Sequence, residues 1–135
     1  MSNEHVWTVN FDGGASPNPG IASCAFKIQN ETGFQYTKGW RMDGIHTSNE
    51  AEWDAVSRGI EEVIQRDKEA EVIKVIGDSQ LVIYQIQGIY RVKQPRLRQY
   101  YDRINKVKEM GVEIIPSHIE REFNEEMDKA CREAR

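Results

Sequence analysis

The segment FDGGASPNPG, residues 11–20, joins an extended run of residues to a loop rich in glycine and proline. The preceding residues 6–11 are half apolar, which is typical of a partly buried strand. We expect this strand to end at Asp12, at the edge of a sheet, and a small, rigid loop to follow. Taken alone, Asp-Gly-Gly is typical of an ordinary hairpin turn. A functional role for Asp12 therefore requires other acids at the same place.

Composition limits the class of protein. The chain has 135 residues, of which 39% are hydrophobic and 30% charged, so we expect one globular domain over residues 1–135. No apolar run approaches the roughly 18 residues of a membrane span, and the secretory-signal pattern is missing. We therefore expect a cytoplasmic protein without membrane contact, in which Cys24 and Cys131 stay reduced.

Charge is unevenly distributed along the chain. The formal net charge of −4 disfavours strong nonspecific binding to nucleic acid. Residues 91–109, however, contain seven basic and two acidic side chains, a local balance of 7 − 2 = +5. Such a run is most often a solvated helix face, but it also suits contact with a phosphate backbone.

The order of apolar patterns predicts a mixed sheet. Three short strands come first, and residues 47–64 then show helical spacing after the capping-box pattern TSNE. Residues 72–76 are β-branched and predict a buried strand parallel to the first. Two helices, a last strand over 112–117 and a helix from residue 123 follow. The predicted class is α/β, with the order β-β-β-α-β-α-α-β-α and helices on both faces of the sheet.

Acidic side chains stand where a packed fold rarely places them. Asp78 ends the buried strand, as Asp12 is expected to end the first, and Glu52 lies on the helix face expected to pack against the sheet. Asp128 lies beside the apolar stripe of the final helix, where an acid taken by itself is more often solvated. Buried like charges are costly without a compensating cation, so the pattern suggests a metal site.

Four segments carry a resemblance to a known family. FDGG with NPG, TSNEAE, GDSQ, and REFN leading to Asp128 resemble, in order, the four motif blocks of type 1 ribonuclease H. The resemblance implies a ribonuclease H-like fold with a five-stranded mixed sheet. It also implies cleavage of the RNA strand of RNA–DNA hybrids, leaving 5′-phosphate and 3′-hydroxyl ends. No obligate protein partner is implied, so a monomer is expected.

The resemblance also assigns roles to individual residues. Asp12, Glu52, Asp78 and Asp128 would hold two Mg²⁺ ions, for which Mn²⁺ could substitute, and hard oxygen ligands suit such ions. The residues implied to contact the substrate are Asn18, Asn49 and Gln80 at the ribose 2′-hydroxyl, and Thr47 at a DNA phosphate. Thr47 and Asn49 are equally consistent with simple helix capping.

Two departures from the family pattern are visible. Many members carry a long basic protrusion before the long helix, whereas residues 90–98 alone occupy that place here; we expect the compact branch, with Arg91 and Lys93 left to follow the DNA backbone. Many members also place a histidine in a loop after the last strand. His118 matches it in a gapless alignment, but if His118 continues the strand, Arg121 is the cationic substitute near the leaving phosphate.

Three hypotheses for function remain at this stage. The first is a hybrid-specific endonuclease. The second is a noncatalytic module of the same fold that binds nucleic acid or protein, which the presence of all four carboxylates disfavours. The third is the same fold used as an exonuclease or DNA-processing nuclease, which the three implied 2′-hydroxyl readers disfavour.

Overall fold

The computed structural model describes residues 3–135. Within them, five strands form one sheet, accompanied by four α-helices and one 3-10 turn. In chain order these elements are β1 (Val6–Ser16), β2 (Gly20–Asn30), β3 (Gln35–His46), α1 (Ser48–Arg66), β4 (Val72–Gly77), α2 (Gln80–Gln87), α3 (Pro95–Glu109), β5 (Glu113–His118), the 3-10 turn (Arg121–Phe123) and α4 (Glu125–Glu133). The predicted α/β class and order of elements are confirmed.

The sheet has the strand order β3-β2-β1-β4-β5. The first three strands pair antiparallel through short turns, whereas β4 pairs parallel to β1 and β5 parallel to β4. A parallel neighbour requires a long crossover, which α1 supplies between β3 and β4. The central strand is therefore β1, with an antiparallel partner on one side and a parallel partner on the other.

The first strand is longer than the sequence predicted. It pairs with β4 only as far as Asn10 but with β2 as far as Ser16. The prediction that the strand ends at Asp12 is wrong, because residues 13–14 continue the β2 ladder and neither glycine has a positive φ. Asp12 nevertheless lies at a sheet edge, since β1 has there run past its parallel neighbour.

Helices cover both faces of the sheet, as predicted. Side chains alternate between the two faces of a strand. On β2, Cys24 belongs to the main core with α1, α2 and α3, whereas the next residue, Ala25, packs against Met127 and Cys131 of α4. The two thiols thus belong to opposite faces, and both are buried and free.

The start of α1 is fixed by a capping box. The Thr47 hydroxyl oxygen accepts a hydrogen bond from the Glu50 N–H at 3.1 Å, and Glu50 Oε1 accepts one from the Thr47 N–H at 3.0 Å. Close packing follows at once, because a Cβ at Gly13 would collide with the backbone of Ala51. The glycine lets α1 approach β1, which brings Glu52 over the end of the sheet.

No helix within residues 3–135 is both long enough and apolar enough to cross a membrane.

Candidate active site

Three acids meet at the carboxyl end of the parallel strands. The parallel register places Asn10 of β1 beside Ile76 of β4, so Asp12 and Asp78 occupy matching positions two residues further along. Glu52 reaches the same place from the second turn of α1. One carboxylate oxygen of each acid lies within 4.8 Å of the others. Three of the four predicted carboxylates therefore form one compact cluster.

Two of the three acids are buried, and Asp78 is half-buried. Asp12 is 7% exposed and Glu52 is 9% exposed. Burial, and after it the negative charge of Asp78, raise the pKa of Asp12 from 3.8 to about 7. Burial also raises the pKa of Glu52 well above its usual range, with the charges of Asp12 and Asp78 acting in the same direction. Ionising Asp12 and Glu52 together is therefore unfavourable without a cation.

The donor set fits a divalent cation. All three groups offer carboxylate oxygens, which are the ligands that Mg²⁺ and Mn²⁺ prefer. In addition, Glu52 Oε2 is buried and makes no hydrogen bond with any described residue. A buried polar atom without a partner costs about 1–3 kcal/mol, so an ion at this position would satisfy it.

Asp128 lies near the cluster but outside it. Its side chain lines the same cavity, of about 210 Å³, as Asp12 and Glu52. Asp128 Oδ2 lies 3.3 Å from the Nε of Arg132, one turn along α4. The predicted fourth carboxylate thus lines the cavity without joining the cluster of the other three.

Asn124 holds the cluster together. Its side chain is buried, and its Nδ2 donates to Asp78 Oδ2 at 3.1 Å and to the Phe11 carbonyl at 3.0 Å. The amide thus fixes one acid relative to β1. Sequence reasoning did not assign it this contact, although the REFN segment that contains it stood among the four motif blocks.

Arg121 and His118 occupy different places. Arg121 belongs to the 3-10 turn and lines the cavity with the acids. His118 is the last residue of β5, paired with Gly77, and is absent from the residues described as lining that cavity. Only residues 119–120 separate β5 from the 3-10 turn. This geometry matches the alignment in which the histidine continues the strand.

The implied 2′-hydroxyl readers surround the start of α1 and α2. Asn18, in the turn between β1 and β2, accepts a hydrogen bond from the Ser48 N–H at 3.0 Å. Gln80 is exposed at the start of α2, where its Nε2 donates to the Tyr84 hydroxyl at 3.1 Å. Tyr84 was not singled out in the sequence, since a tyrosine one turn along a helix carries no motif.

Asn49 opens onto a larger groove, of about 630 Å³, between the starts of α1 and α3. Arg91 and Lys93 line it, together with the exposed apolar side chains Leu81 and Tyr90. Four of the seven basic side chains in residues 91–109 make intramolecular contacts: Arg96 with Glu50, Arg98 with Tyr101, Arg103 with Glu61, and Lys108 with the Ile86 carbonyl. Much of the basic run is therefore structural.

Known proteins resemble this chain over most of its length. Residues 10–134 match the family model described as reverse transcriptase-like. A curated relative, ribonuclease HI of Halobacterium salinarum, is 31% identical over 124 residues, covering 92% of this chain. The chain spans only 61% of that relative's length.

Two solved structures are similar over nearly their whole length. LC11 ribonuclease H1, solved in complex with an RNA/DNA hybrid, is 31% identical with a TM-score of 0.85, and the match covers 95% of both chains. Ribonuclease H1 from Halobacterium salinarum NRC-1 is 28% identical with a TM-score of 0.84, covering 96% of both. Sequence, fold and the placement of the acids agree, and the chain belongs to the type 1 ribonuclease H family, within the reverse transcriptase-like group.

Proposed function

We propose that this protein is an endonuclease that hydrolyses the RNA strand of RNA–DNA hybrids. The observation that carries the proposal is the compact cluster of Asp12, Glu52 and Asp78, in which a buried Glu52 oxygen has no partner; a basic groove at the start of α1 supports it. Its relatives support the choice of substrate, because LC11 ribonuclease H1 was solved with an RNA/DNA hybrid.

The carboxylates are proposed to hold divalent cations. Asp12, Glu52, Asp78 and Asp128 would bind two Mg²⁺ ions, with Mn²⁺ as a substitute. When bound there, the ions would supply activation of the attacking water and stabilisation of the leaving 3′ oxygen, and cleavage would leave 5′-phosphate and 3′-hydroxyl ends. Within the protein, Asn124 orients Asp78 through its amide hydrogen bond.

Recognition of RNA is proposed to depend on amide side chains. Ribose 2′-hydroxyls line the wide, shallow minor groove of an A-like duplex, where they donate and accept hydrogen bonds. Asn18, Asn49 and Gln80 would contact them, and Thr47 would contact a phosphate of the DNA strand. For Asn18 and Thr47 the contact would add to the capping bonds that they make at the start of α1.

Positively charged side chains are proposed to contact both strands of the hybrid. Arg91 and Lys93 line the groove that is available to the DNA backbone, and the exposed Tyr90 offers an apolar surface for sugars. Arg121 is proposed to stabilise charge near the leaving phosphate, because it lines the cavity that contains the acids. The same reasoning disfavours His118 for that role. Action as a monomer, as one domain and in the cytoplasm stays a prediction.

The experiment is a substrate panel in which each strand is labelled separately. We expect Mg²⁺-dependent cutting of the RNA strand of a hybrid, no cutting of its DNA strand, and inhibition by EDTA. Binding without cleavage in both Mg²⁺ and Mn²⁺ would replace the proposal with a noncatalytic module. Cleavage of an all-DNA duplex would replace it with a DNA nuclease.

A further inference from the structure

Arg135 lies beside the carboxylate cluster, although nothing in the sequence singled it out. Its side chain lines the same cavity of about 210 Å³ as Asp12, Glu52 and Arg121. The guanidinium lies over the extended end of β1, since its Nη2 is 3.1 Å from the position that a Cβ at Gly14 would take. A glycine two residues after Asp12 thus leaves room for this side chain.

A buried hydroxyl holds the guanidinium in place. Arg135 Nε donates to the hydroxyl oxygen of Ser23 at 3.2 Å, and that hydroxyl donates in turn to the carbonyl of Cys131 at 2.7 Å. Ser23 is fully buried on β2, so its position is fixed by the sheet and by α4. The tether restrains one nitrogen of the guanidinium and directs the rest of the group toward the cavity.

The outer nitrogens remain available to a ligand. Within residues 3–135, the Nη atoms make no hydrogen bond with the protein, and no carboxylate lies within 4 Å of Arg135 as an ion-pair partner. The guanidinium therefore does not neutralise Asp12 or Asp128, although it shares their cavity. A planar guanidinium with free outer N–H groups suits two oxygens of one phosphate.

We propose that Arg135 binds a phosphate of the RNA strand next to the carboxylate cluster, and so positions that strand for cleavage. The inference rests on the proposed function, since a nucleic-acid strand is the anion expected at this cavity. It is distinct from the role suggested for Arg121, because Arg135 is reached from α4 and is held over β1 by Ser23.

The test measures binding separately from cleavage. In an Asp78→Asn background, a labelled hybrid is titrated at several salt concentrations with and without Arg135→Gln. Each phosphate contact contributes about one to the slope of log affinity against log salt, so the slope should become shallower by roughly one. Arg135→Lys should keep the slope, because it keeps the charge, but should bind more weakly because the tether to Ser23 is lost.

Cleavage gives the second readout. In the otherwise native chain, Arg135→Gln should lower kcat/KM about tenfold, mainly through KM, as expected for the loss of one charged hydrogen bond. Lys129→Gln is the matched control, since it removes one exposed positive charge from α4 outside the cavity. It should leave slope and kcat/KM unchanged.

Two results would overturn the inference. The first is an unchanged salt slope in Arg135→Gln, and the second is an equal loss in Lys129→Gln. A native chain that binds hybrid but never cuts it would instead overturn the proposed function, and the salt slope would then decide the role of Arg135 by itself.

Discussion

Replacing Asp12 by asparagine should stabilise the metal-free protein, and increasingly so as the pH rises. Asp12 is 7% exposed, and burial followed by the charge of Asp78 raises its pKa from 3.8 to about 7. In the unfolded chain this carboxyl ionises near its ordinary pKa. Between the two values the unfolded state binds fewer protons than the folded state, so stability falls as the pH rises.

The pKa values of Asp12 in the folded and unfolded states set the size of this change in stability. At 1.36 kcal/mol per pH unit, a rise from 3.8 to about 7 costs the folded state about 1 kcal/mol at pH 4.5 and about 4 kcal/mol at pH 8. Asparagine has nearly the same shape as the protonated aspartic acid and does not titrate. The free energy of unfolding of Asp12→Asn should therefore exceed that of the native chain by about these amounts in EDTA.

The assay is urea unfolding, followed by circular dichroism in EDTA, at pH 4.5 and pH 8. Asp102→Asn is the control, because Asp102 is exposed on α3. Adding Mg²⁺ at pH 8 should narrow the difference in free energy of unfolding between Asp12→Asn and the native chain, since the ion stabilises only a folded state that can bind it. We predict a larger gain in the free energy of unfolding at pH 8 than at pH 4.5. An equal gain at both pH values, or no gain at pH 8, would refute the argument that burial of the ionised Asp12 carboxylate destabilises the fold.

Three further substitutions test the packing of α1 on β1, the hydrogen bonds of Asn124 and the contact between Tyr84 and Gln80. Gly13→Ala should lower the free energy of unfolding by about 3 kcal/mol or more, measured in urea, because its Cβ collides with the backbone of Ala51; a neutral result would show that α1 can move away. Asn124→Ala should cost about 1–3 kcal/mol and reduce the rate of hybrid cleavage, because a buried carbonyl of β1 and a carboxylate of the cluster lose their donor. Tyr84→Phe should leave thermal stability nearly unchanged but lower kcat/KM for the hybrid, because Gln80 loses its restraint; an unchanged kcat/KM would contradict that role.

Most of the fold followed from local signals whose physical causes are strong. The capping box at Thr47, the left-handed glycines after α2 and α3, and the β-branched run of β4 each predicted an element that the structure contains. The length of β1 could not be predicted in the same way. Glycines at 13–14 are typical of a turn, but here both lie inside an extended strand, and close packing of α1 requires the first of them. Packing between distant elements therefore decided a point that local propensity could not.

Site residues could be predicted from the sequence where the helix or strand that carries them also fixes their position. Asp12 and Asp78 lie at matching register, two residues beyond the last parallel pair of β1 and β4, so their meeting was expected from the sequence. Arg135 and Tyr84 were not foreseeable, because each reaches the site through a side-chain contact whose partner is distant or carries no motif. The place of Asp128 was predicted only in part, since the sequence predicted its helix but not its ion pair with Arg132.

The most direct test of the central claim compares Asp78→Asn with Asp102→Asn on a hybrid whose RNA strand is labelled. Both changes remove one carboxylate, but only Asp78 belongs to the carboxylate cluster. We predict that Asp78→Asn binds the hybrid and does not cut it in Mg²⁺, whereas Asp102→Asn cuts the RNA strand as the native chain does. Undiminished cutting by Asp78→Asn would contradict the claim that this cluster carries the activity.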